Sequence, residues 1–353
     1  MTYVQSVGNT PCLFVDGIYV KLECSNPGGS VKDRIGQFLI REAAKRGELR
    51  TGDTIVETTS GNTGIALALA AREMGFRVII FMPEHMSVER RRMIERQGAE
   101  VRLTPKEEGF EGAVARRDTY RGRSGYYIPD QFSNTDNSRC HRETTGTELV
   151  EQLQEYKCRQ LDWFVAGVGT GGTLMGVAAA LGCAHPSVRV AAVEPDEAAV
   201  MSGDQPGDHG IMGIGDGFIP ALVSMETVDR VLRVATADAL AEAHRIREEY
   251  GYCVGISAGA NTLAAFRLRD EGAVVATLWP DCADRYGSVG LEAPASDHVH
   301  CPLKEACAAR TQAMLGDKSD RRRTARFPLR YDSPRVRPPA SELEEDTESA
   351  AGL

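Results

Sequence analysis

Short runs of β-branched residues alternate with longer amphipathic stretches from about residue 18 to residue 280, and this alternation constrains the fold more than any other feature. Strands joined by helical crossovers predict an α/β architecture with largely parallel sheets. The alternation forms two series, so we expect two α/β lobes. The predicted strands are 18–22, 54–57, 77–81, 100–103, 163–166, 188–193, 230–234 and 273–278, and the predicted helices are 31–46, 62–74, 86–97, 108–121, a segment from residue 172, 236–250 and 258–269.

Length and charge narrow the class of protein. The chain has 353 residues, enough for about two domains. Its formal net charge is −9, so counterion release gives it no general affinity for a nucleic acid. No apolar run approaches the ~18 residues that a membrane span requires, and we expect no signal peptide at the start. These features predict a cytoplasmic protein without a nucleic-acid partner or a membrane segment.

Neither the cysteines nor the C-terminal region predicts a disulfide framework or a metal site. Nine cysteines, an odd number without a Cys-x-x-Cys pair, predict reduced thiols rather than a disulfide framework. His298, His300, Cys301 and Cys307 carry metal-capable atoms, but zinc ligands are usually paired at tighter, repeated spacing, so we expect no metal there. Residues 319–353 hold an arginine run, four prolines and an acidic run with little that is apolar, which predicts disorder from about residue 319.

A glycine-rich turn follows the predicted strand 163–166. The sequence Gly-Val-Gly-Thr-Gly-Gly-Thr at 167–173 offers backbone N–H groups at a helix N-terminus, which suit a phosphate. The same glycines satisfy the pattern G-x-G-x-x-G, and Glu194 follows about twenty residues on, so a dinucleotide-dependent oxidoreductase is an alternative. The hydroxyls of Thr170 and Thr173 can donate to a terminal phosphate monoester, which favours that ligand over a dinucleotide.

Lys32 lies in the sequence Asn-Pro-Gly-Gly-Ser-Val-Lys-Asp-Arg at 26–34, where a turn leads into a predicted helix. A cation is disfavoured at a helix N-terminus, so we expect the pKa of this amine to be lowered. A lysine with a lowered pKa can attack a carbonyl as the free amine. From this segment alone, a surface lysine without a chemical role is the alternative.

Two further strand-to-helix turns carry hydroxyl side chains. Residues 57–64 combine four hydroxyls, an amide and N–H groups at a helix start, which suit a carboxylate. Residues 255–261 place Ser257 between glycines, loosely like the nucleophile elbow of a hydrolase. Such a hydrolase requires a later histidine, and only His298 and His300 follow, so we do not expect hydrolysis.

Together and in this order, these four segments resemble the cysteine synthase (O-acetylserine sulfhydrylase) and cystathionine β-synthase family of fold type II pyridoxal-phosphate enzymes. The resemblance covers roughly residues 7–288, with further matching stretches at 82–91, 131–132, 144–146, 213–218 and 280–282. It implies two α/β lobes with the cofactor in the cleft between them. The implied divisions are a larger cofactor-binding lobe at 1–36 and 136–290, a smaller mobile substrate lobe at 37–135 and a C-terminal extension at 291–353.

The resemblance also implies roles for individual residues. Lys32 would bind the cofactor aldehyde covalently and later remove the substrate Cα proton. Ser257 would face the pyridine nitrogen, and a hydroxyl there does not enforce ring protonation as a carboxylate would, which favours prompt loss of a β-leaving group. The other implied contacts are Asn62 with the pyridoxal 3′-oxygen, Gly169, Thr170, Gly171, Gly172 and Thr173 with the phosphate, and Thr59, Ser60, Thr63 and Gln131 with the substrate carboxylate.

Three positions depart from the family pattern. Ala258 stands where a second serine is frequent, Phe110 where methionine is usual, and Asp216 where alanine is frequent. Near the substrate, the Asp216 carboxylate would repel a phosphate leaving group, because two like charges about 4 Å apart at an effective dielectric near 20 repel by roughly 4 kcal/mol. No arginine lies in the stretch 210–228 to offset that charge. We therefore predict that O-acetylserine is preferred over O-phosphoserine.

The residues and the resemblance together predict a pyridoxal-phosphate-dependent β-replacement enzyme. It would form L-cysteine from O-acetyl-L-serine and sulfide, and we expect a homodimer. The alternative within the family is another β-replacement, which makes cystathionine or a different β-substituted alanine from serine or O-phosphoserine.

Overall fold

Two sheets divide the strands between them in the computed structural model, which describes residues 2–59 and 61–291. The strands are β1 (Cys12–Val15), β2 (Ile18–Leu22), β3 (Thr54–Thr58), β4 (Arg77–Pro83), β5 (Glu100–Thr104), β6 (Tyr126–Tyr127), β7 (Trp163–Gly167), β8 (Arg189–Pro195), β9 (Arg230–Val234) and β10 (Val275–Trp279). The six-stranded sheet has the order β1-β2-β10-β7-β8-β9 and the four-stranded sheet the order β5-β4-β3-β6. Of these strands, only β1 pairs antiparallel, with β2. The predicted α/β class with largely parallel sheets is confirmed.

Helices connect the parallel strands, as this architecture requires. They are α1 (Tyr3–Ser6), α2 (Lys32–Lys45), α3 (Asn62–Met74), α4 (Val88–Arg96), α5 (Gly109–Asp118), α6 (Asp136–His141), α7 (Thr147–Glu155), α8 (Gly172–Ala184), α9 (Thr236–Tyr250) and α10 (Ile256–Asp270). A single π-helical turn, Arg142–Gly146, joins α6 to α7. The predicted helices agree with these bounds to within a few residues, whereas α1, α6, the π turn and α7 were not predicted.

The central strands are buried along their whole length because both faces of each sheet are covered. All five residues of β3 and of β10 are buried. Strands buried on both faces are typical of parallel sheets between helices. The larger sheet packs around Trp279 and Phe164, and the smaller one around Ile55 and Ile80.

A buried ion cluster fixes the beginning of α2. Arg34 lies in the first turn of the helix and pairs with Glu23 and Glu148, both at 2.7 Å. Lys21 from β2 also reaches Glu148 at 2.7 Å. Burial alone would raise the pKa of Glu148, but hydrogen bonds and charge from Arg34, together with the charge of Lys21, lower it to about 2. Every charge in this cluster therefore has a partner of opposite sign.

Helix α2 contacts both halves of the fold. At its start, the Val31 N–H donates to the carbonyl of Pro280, which follows β10 in the larger sheet. One turn further on, Gly36 packs against α3, which follows β3 in the smaller sheet. A Cβ at Gly36 would lie 2.8 Å from the Ala66 backbone, so only glycine permits this approach. Helix α2 therefore connects the two sheets by contacting an element next to each of them.

Several expectations concern residues or boundaries that the structure leaves open. Ser60, the metal-capable residues from His298 to Cys307 and nearly all of the extension 291–353 lie outside the described residues. The lobe boundaries stay a prediction, and α2 runs without a break across the first of them, at residues 36 and 37.

Three features of the described part can be checked. None of its seven cysteines forms a disulfide within this part of the chain. Within 2–59 and 61–291 there is no cluster of three histidine, cysteine or acidic side chains placed to hold a metal ion. In the same ranges, no helix is both long enough and apolar enough to cross a membrane.

Candidate active site

The residues that follow three parallel strands line one cavity. Thr59 comes directly after β3, the segment 167–173 comes at the end of β7, and Pro280 and Asp281 come directly after β10. Ligands in open α/β sheets bind beyond the carboxyl ends of the strands. The predicted site residues that line this cavity are Lys32, Thr59, Asn62, Thr63, Gln131, Gly169, Thr170, Gly171, Thr173, Asp216 and Ser257.

Lys32 is the first residue of α2, as the sequence predicts, and its side chain reaches the cavity. Burial lowers the pKa of the amine, and the charges of Asp216 and Asp281 offset this only in part. No described side chain accepts a hydrogen bond from its Nζ. Burial is the largest cause of the lowered pKa, and a larger fraction of the amine is neutral than in a free lysine.

The glycine-rich turn leads directly into α8. Gly171 has a φ of 80°, a left-handed conformation that glycine adopts without strain, and no side chain at that position caps the helix. Thr170 and Thr173 face the cavity from either side of the turn. Gly172 does not line the cavity and packs against α6 instead. The free N–H groups of a helix start, with two hydroxyls beside them, make a binding site for an anion.

A second helix start faces the same cavity from the smaller sheet. Helix α3 begins at Asn62 without a side-chain cap. The Thr63 hydroxyl donates to Gln131 Oε1 at 2.6 Å, and the Gly61 N–H donates to Thr59 Oγ1 at 3.1 Å. These polar groups and the helix N-terminus together suit a carboxylate.

Asn62 is held in one orientation by two charged residues that the sequence analysis did not single out. Its Oδ1 accepts from Arg285 Nη1 at 2.8 Å, and its Nδ2 donates to Asp281 Oδ2 at 2.7 Å. Because arginine can only donate, the oxygen of the amide must face Arg285. The second N–H of the amide then remains for a ligand.

Ser257 lies at the beginning of α10, on the opposite wall of the cavity. Its residue is only 3% exposed, yet its hydroxyl makes no hydrogen bond to a described residue. A buried hydroxyl normally has a partner, so this one is suited to a polar atom of a ligand.

The mouth of the cavity carries two of the positions that depart from the family pattern. Asp216 and Phe110 both line it, and Phe110 packs edge-on against Phe132 at 6.0 Å between ring centroids. Arg90 from α4 also lines the cavity, with its guanidinium 4.8 Å from the ring centroid of Tyr286. The absence of an arginine from 210–228 therefore does not mean that the cavity lacks one. The matching stretch 82–91 contained the signal, because Arg90 lies in it.

Comparisons with known proteins agree with this geometry. A family model described as "Pyridoxal-phosphate dependent enzyme" matches residues 3–277. A cysteine synthase from Staphylococcus aureus is 42% identical over 298 residues, which cover 81% of this chain and 95% of that protein.

Two solved structures are similar over most of their length. An O-acetylserine-dependent cystathionine β-synthase from Helicobacter pylori is 38% identical with a TM-score of 0.77, covering 82% of this chain and 98% of that one. A cysteine synthase from Entamoeba histolytica is 34% identical with a TM-score of 0.76, covering 88% and 94%. The chain belongs to the pyridoxal-phosphate-dependent enzyme family, and its structural neighbours are of fold type II.

The residues present fit this cofactor. Pyridoxal phosphate offers an aldehyde, a phenolic oxygen, a ring nitrogen and a phosphate. The cavity offers an amine without a hydrogen-bond partner at Lys32, an amide N–H at Asn62, an unpaired hydroxyl at Ser257 and a glycine-rich helix start at α8. Each polar group of the cofactor therefore has a chemically suitable counterpart.

Proposed function

We propose that this chain forms L-cysteine from O-acetyl-L-serine and sulfide by β-replacement. One observation supports this most strongly: the Lys32 amine, with its lowered pKa, lies in a single cavity with two uncapped helix N-termini. One helix start suits the phosphate of the cofactor and the other suits the carboxylate of an amino acid. The cysteine synthases among the relatives support the choice of substrates.

The lysine would have two tasks. As a free amine it would bind the cofactor aldehyde, and once the amino-acid substrate displaces it, the same amine would take the proton from the substrate Cα. Burial favours the neutral amine that both tasks require. When bound, pyridoxal phosphate supplies a ring that withdraws electrons from Cα.

The other residues would orient the reactants. We assign Gly169, Thr170, Gly171, Gly172 and Thr173 to the phosphate, Asn62 to the phenolic oxygen and Ser257 to the ring nitrogen. Thr59, Thr63 and Gln131, with Ser60 outside the described residues, would hold the substrate carboxylate. A hydroxyl at the ring nitrogen leaves the ring a moderate electron acceptor, which supports departure of the β-substituent over other fates of the Cα charge.

The decisive experiment is to locate the covalent attachment. We expect the purified protein to absorb visible light, and the absorption band to shift when O-acetylserine is added. Borohydride reduction followed by peptide mapping should place the pyridoxyl group on Lys32. The matched control is Lys45, at the other end of α2, whose side chain is 63% exposed. A label on Lys45 or on any other lysine would refute the assignment.

The second substrate distinguishes the two candidate functions. The Helicobacter pylori relative is described as a cystathionine β-synthase that depends on O-acetylserine, which supports a thiol larger than sulfide as the alternative. Competition between sulfide and homocysteine at equal concentration, with both products quantified, distinguishes the two. Cystathionine as the dominant product would favour the alternative over cysteine formation.

Assembly and location belong to the same proposal. We expect a homodimer in the cytoplasm, in line with the family resemblance. Sedimentation of the purified protein tests the first point, and fractionation of the native cell tests the second.

A further inference from the structure

We propose that Asn137 and His141 on α6 are positioning residues for the cofactor phosphate: they occupy the oxygens of Thr170 and Thr173 with donated hydrogen bonds and so direct both hydroxyl hydrogens toward the phosphate. The inference rests on the phosphate site proposed above. It adds a second layer of residues that the sequence motif does not contain.

The contact between α6 and α8 is close because glycine occurs twice on the facing side of α8. A Cβ at Gly172 would lie 2.0 Å from Asn137 Oδ1, and a Cβ at Gly176 would lie 2.6 Å from the Cβ of His141. These two glycines are one helical turn apart, as are Asn137 and His141. The two glycines of α8 therefore face Asn137 and His141 of α6 at the same spacing. This match brings the two polar side chains of α6 against the glycine-rich turn that precedes α8.

The first hydrogen bond has a defined direction. Asn137 Nδ2 donates to the carbonyl of Gln131 at 2.8 Å, which identifies that atom as the nitrogen because a carbonyl can only accept. The same nitrogen donates to Thr170 Oγ1 at 3.0 Å, and the Gly172 N–H also points to that oxygen at 3.3 Å. Both interactions use Thr170 as the acceptor. Its own hydrogen is left for another group, and it lines the cavity.

The second hydrogen bond follows from the chemistry of a neutral imidazole. Burial, followed by the charges of Lys32 and Arg34, lowers the pKa of His141 well below its usual value, so the ring carries one proton. Its Nε2 lies 3.3 Å from Thr173 Oγ1, and its Nδ1 lies 2.9 Å from Thr145 Oγ1. A phosphate can only accept, so Thr173 must donate to it. Nε2 must then carry the proton, and Nδ1 accepts from Thr145.

Thr145 lies in the π-helical turn, four residues after His141, and its hydroxyl reaches the ring. Turns of this kind are frequent at functional sites. The adjacent Thr144 takes no part, because its hydroxyl donates to the Cys140 carbonyl at 2.7 Å. The pair Thr144 and Thr145 is therefore a matched control that the chain itself provides.

The test compares two ligands of the cofactor-free protein. Pyridoxal phosphate and pyridoxal differ only in the phosphate, so the ratio of their dissociation constants isolates phosphate recognition. We expect His141→Met, which lacks a donor, to raise the dissociation constant of pyridoxal phosphate about ten-fold with little change for pyridoxal, as for one lost hydrogen bond between neutral groups. His141→Gln retains an N–H donor and should restore most of the affinity.

A double variant shows whether His141 acts through Thr173. Thr173→Val alone should weaken pyridoxal phosphate selectively, and adding His141→Met to it should cause little further loss, because interacting residues are not additive. We also expect Asn137→Leu to weaken the binding of pyridoxal phosphate selectively, and Thr145→Val to weaken it to a smaller extent. Thr144→Val should leave this binding unchanged. Equal weakening of both ligands by His141→Met, or full additivity with Thr173→Val, would overturn the inference.

The same data separate this inference from the proposed function. If Thr170→Val and Thr173→Val leave the ratio of the two dissociation constants unchanged, the phosphate site itself is wrong. If those two variants change the ratio while the variants of Asn137 and His141 do not, only the role of α6 is wrong. Should His141→Met fail to fold, the comparison of Thr145→Val with Thr144→Val carries the test: a selective effect of Thr145→Val supports it, and identical ratios contradict it.

Discussion

Lys32 and Arg34 are two residues apart on the same helix, and their surroundings are opposite. The Arg34 guanidinium is buried and bonds to Glu23, Glu148 and Thr10. The Lys32 amine, which lines the cavity, has no hydrogen-bond partner among the described residues. Breaking a buried ion pair costs several kcal/mol, whereas a buried polar group without a partner is itself a cost to the fold.

The difference shows which polar groups hold the structure and which are available to a ligand. The ion cluster satisfies all of its members internally and so has nothing to offer a substrate. The cavity instead exposes unsatisfied groups at Lys32, Ser257 and two helix starts. Variants on the two sides should therefore separate stability from activity.

The largest effect is expected from Lys32→Met. Without the amine, the turnover of O-acetylserine should fall by about a thousand-fold or more, since both the covalent attachment and the proton transfer are lost. The melting temperature of the cofactor-free protein should hold or rise, because an unpartnered buried amine is removed. A clear decrease in that melting temperature would contradict the contrast with Arg34.

The second prediction concerns the ion cluster. Glu148→Gln leaves Lys21 and Arg34 short of a partner and should lower the free energy of unfolding by about 3 kcal/mol, measured by urea denaturation. Turnover per folded molecule should change little. Glu151→Gln, an exposed position on the same helix α7, is the control and should lower stability by less than about 0.5 kcal/mol.

This stability also has a pH dependence with a definite sign. The folded pKa of Glu148 is about 2, against an ordinary value of 4.5. Its contribution is therefore fully present above pH 4.5 and is lost as the pH falls toward 2. Between these pH values, the wild type should lose more stability than Glu148→Gln does, and parallel curves would contradict the pairing.

A smaller effect is expected at the opposite wall of the cavity. Ser257→Asp would place a carboxylate at the ring nitrogen and hold a proton there, so β-replacement should slow by about ten-fold or more. Ser257→Ala removes the hydroxyl without adding charge and should retain more activity than the aspartate variant. Steady-state turnover of both variants tests this, and unchanged turnover in Ser257→Asp would refute the argument.

The smallest effect concerns donor choice at the cavity mouth. We predict that O-acetylserine is used faster than O-phosphoserine and that Asp216→Ala narrows the gap, by up to about ten-fold where the charges are screened by solvent. Arg90 opposes this effect, so Arg90→Gln should widen the gap. The ratio of kcat/KM values for the two donors decides it, and a wild-type preference for O-phosphoserine would end the hypothesis.

The local patterns of the sequence accounted for most strands and helices. Helix α3 and strand β2 have the predicted bounds, because apolar periodicity and a clear turn mark both ends. Residues 136–146 have no such period. Their burial comes from the glycine side of α8, which is distant in sequence, so neither α6 nor the π turn could be read from the pattern.

In the site, too, the residues marked by a local pattern were predicted and those brought in by distant contacts were not. Residues that begin a helix after a strand, such as Lys32 and Asn62, stand out because motif and turn coincide. The partners that orient them do not: Asp281 and Arg285 lie more than 200 residues from Asn62 in the chain, and only the folded structure brings them together. His141 and Arg90 were missed for the same reason, although both lie beside or within stretches that match the family.

The glycine contacts at Gly36, Gly172 and Gly176 have a consequence for laboratory evolution of this chain. These positions carry no side chain, yet each sets how closely two helices approach, and thereby where a lysine, an asparagine or a histidine lies. A library that varies only the polar residues of the cavity would change its functional groups while the distances between the helices stay the same. One that admits alanine at these glycines would change the spacing itself, and most of its members would lose binding without losing a single reactive atom.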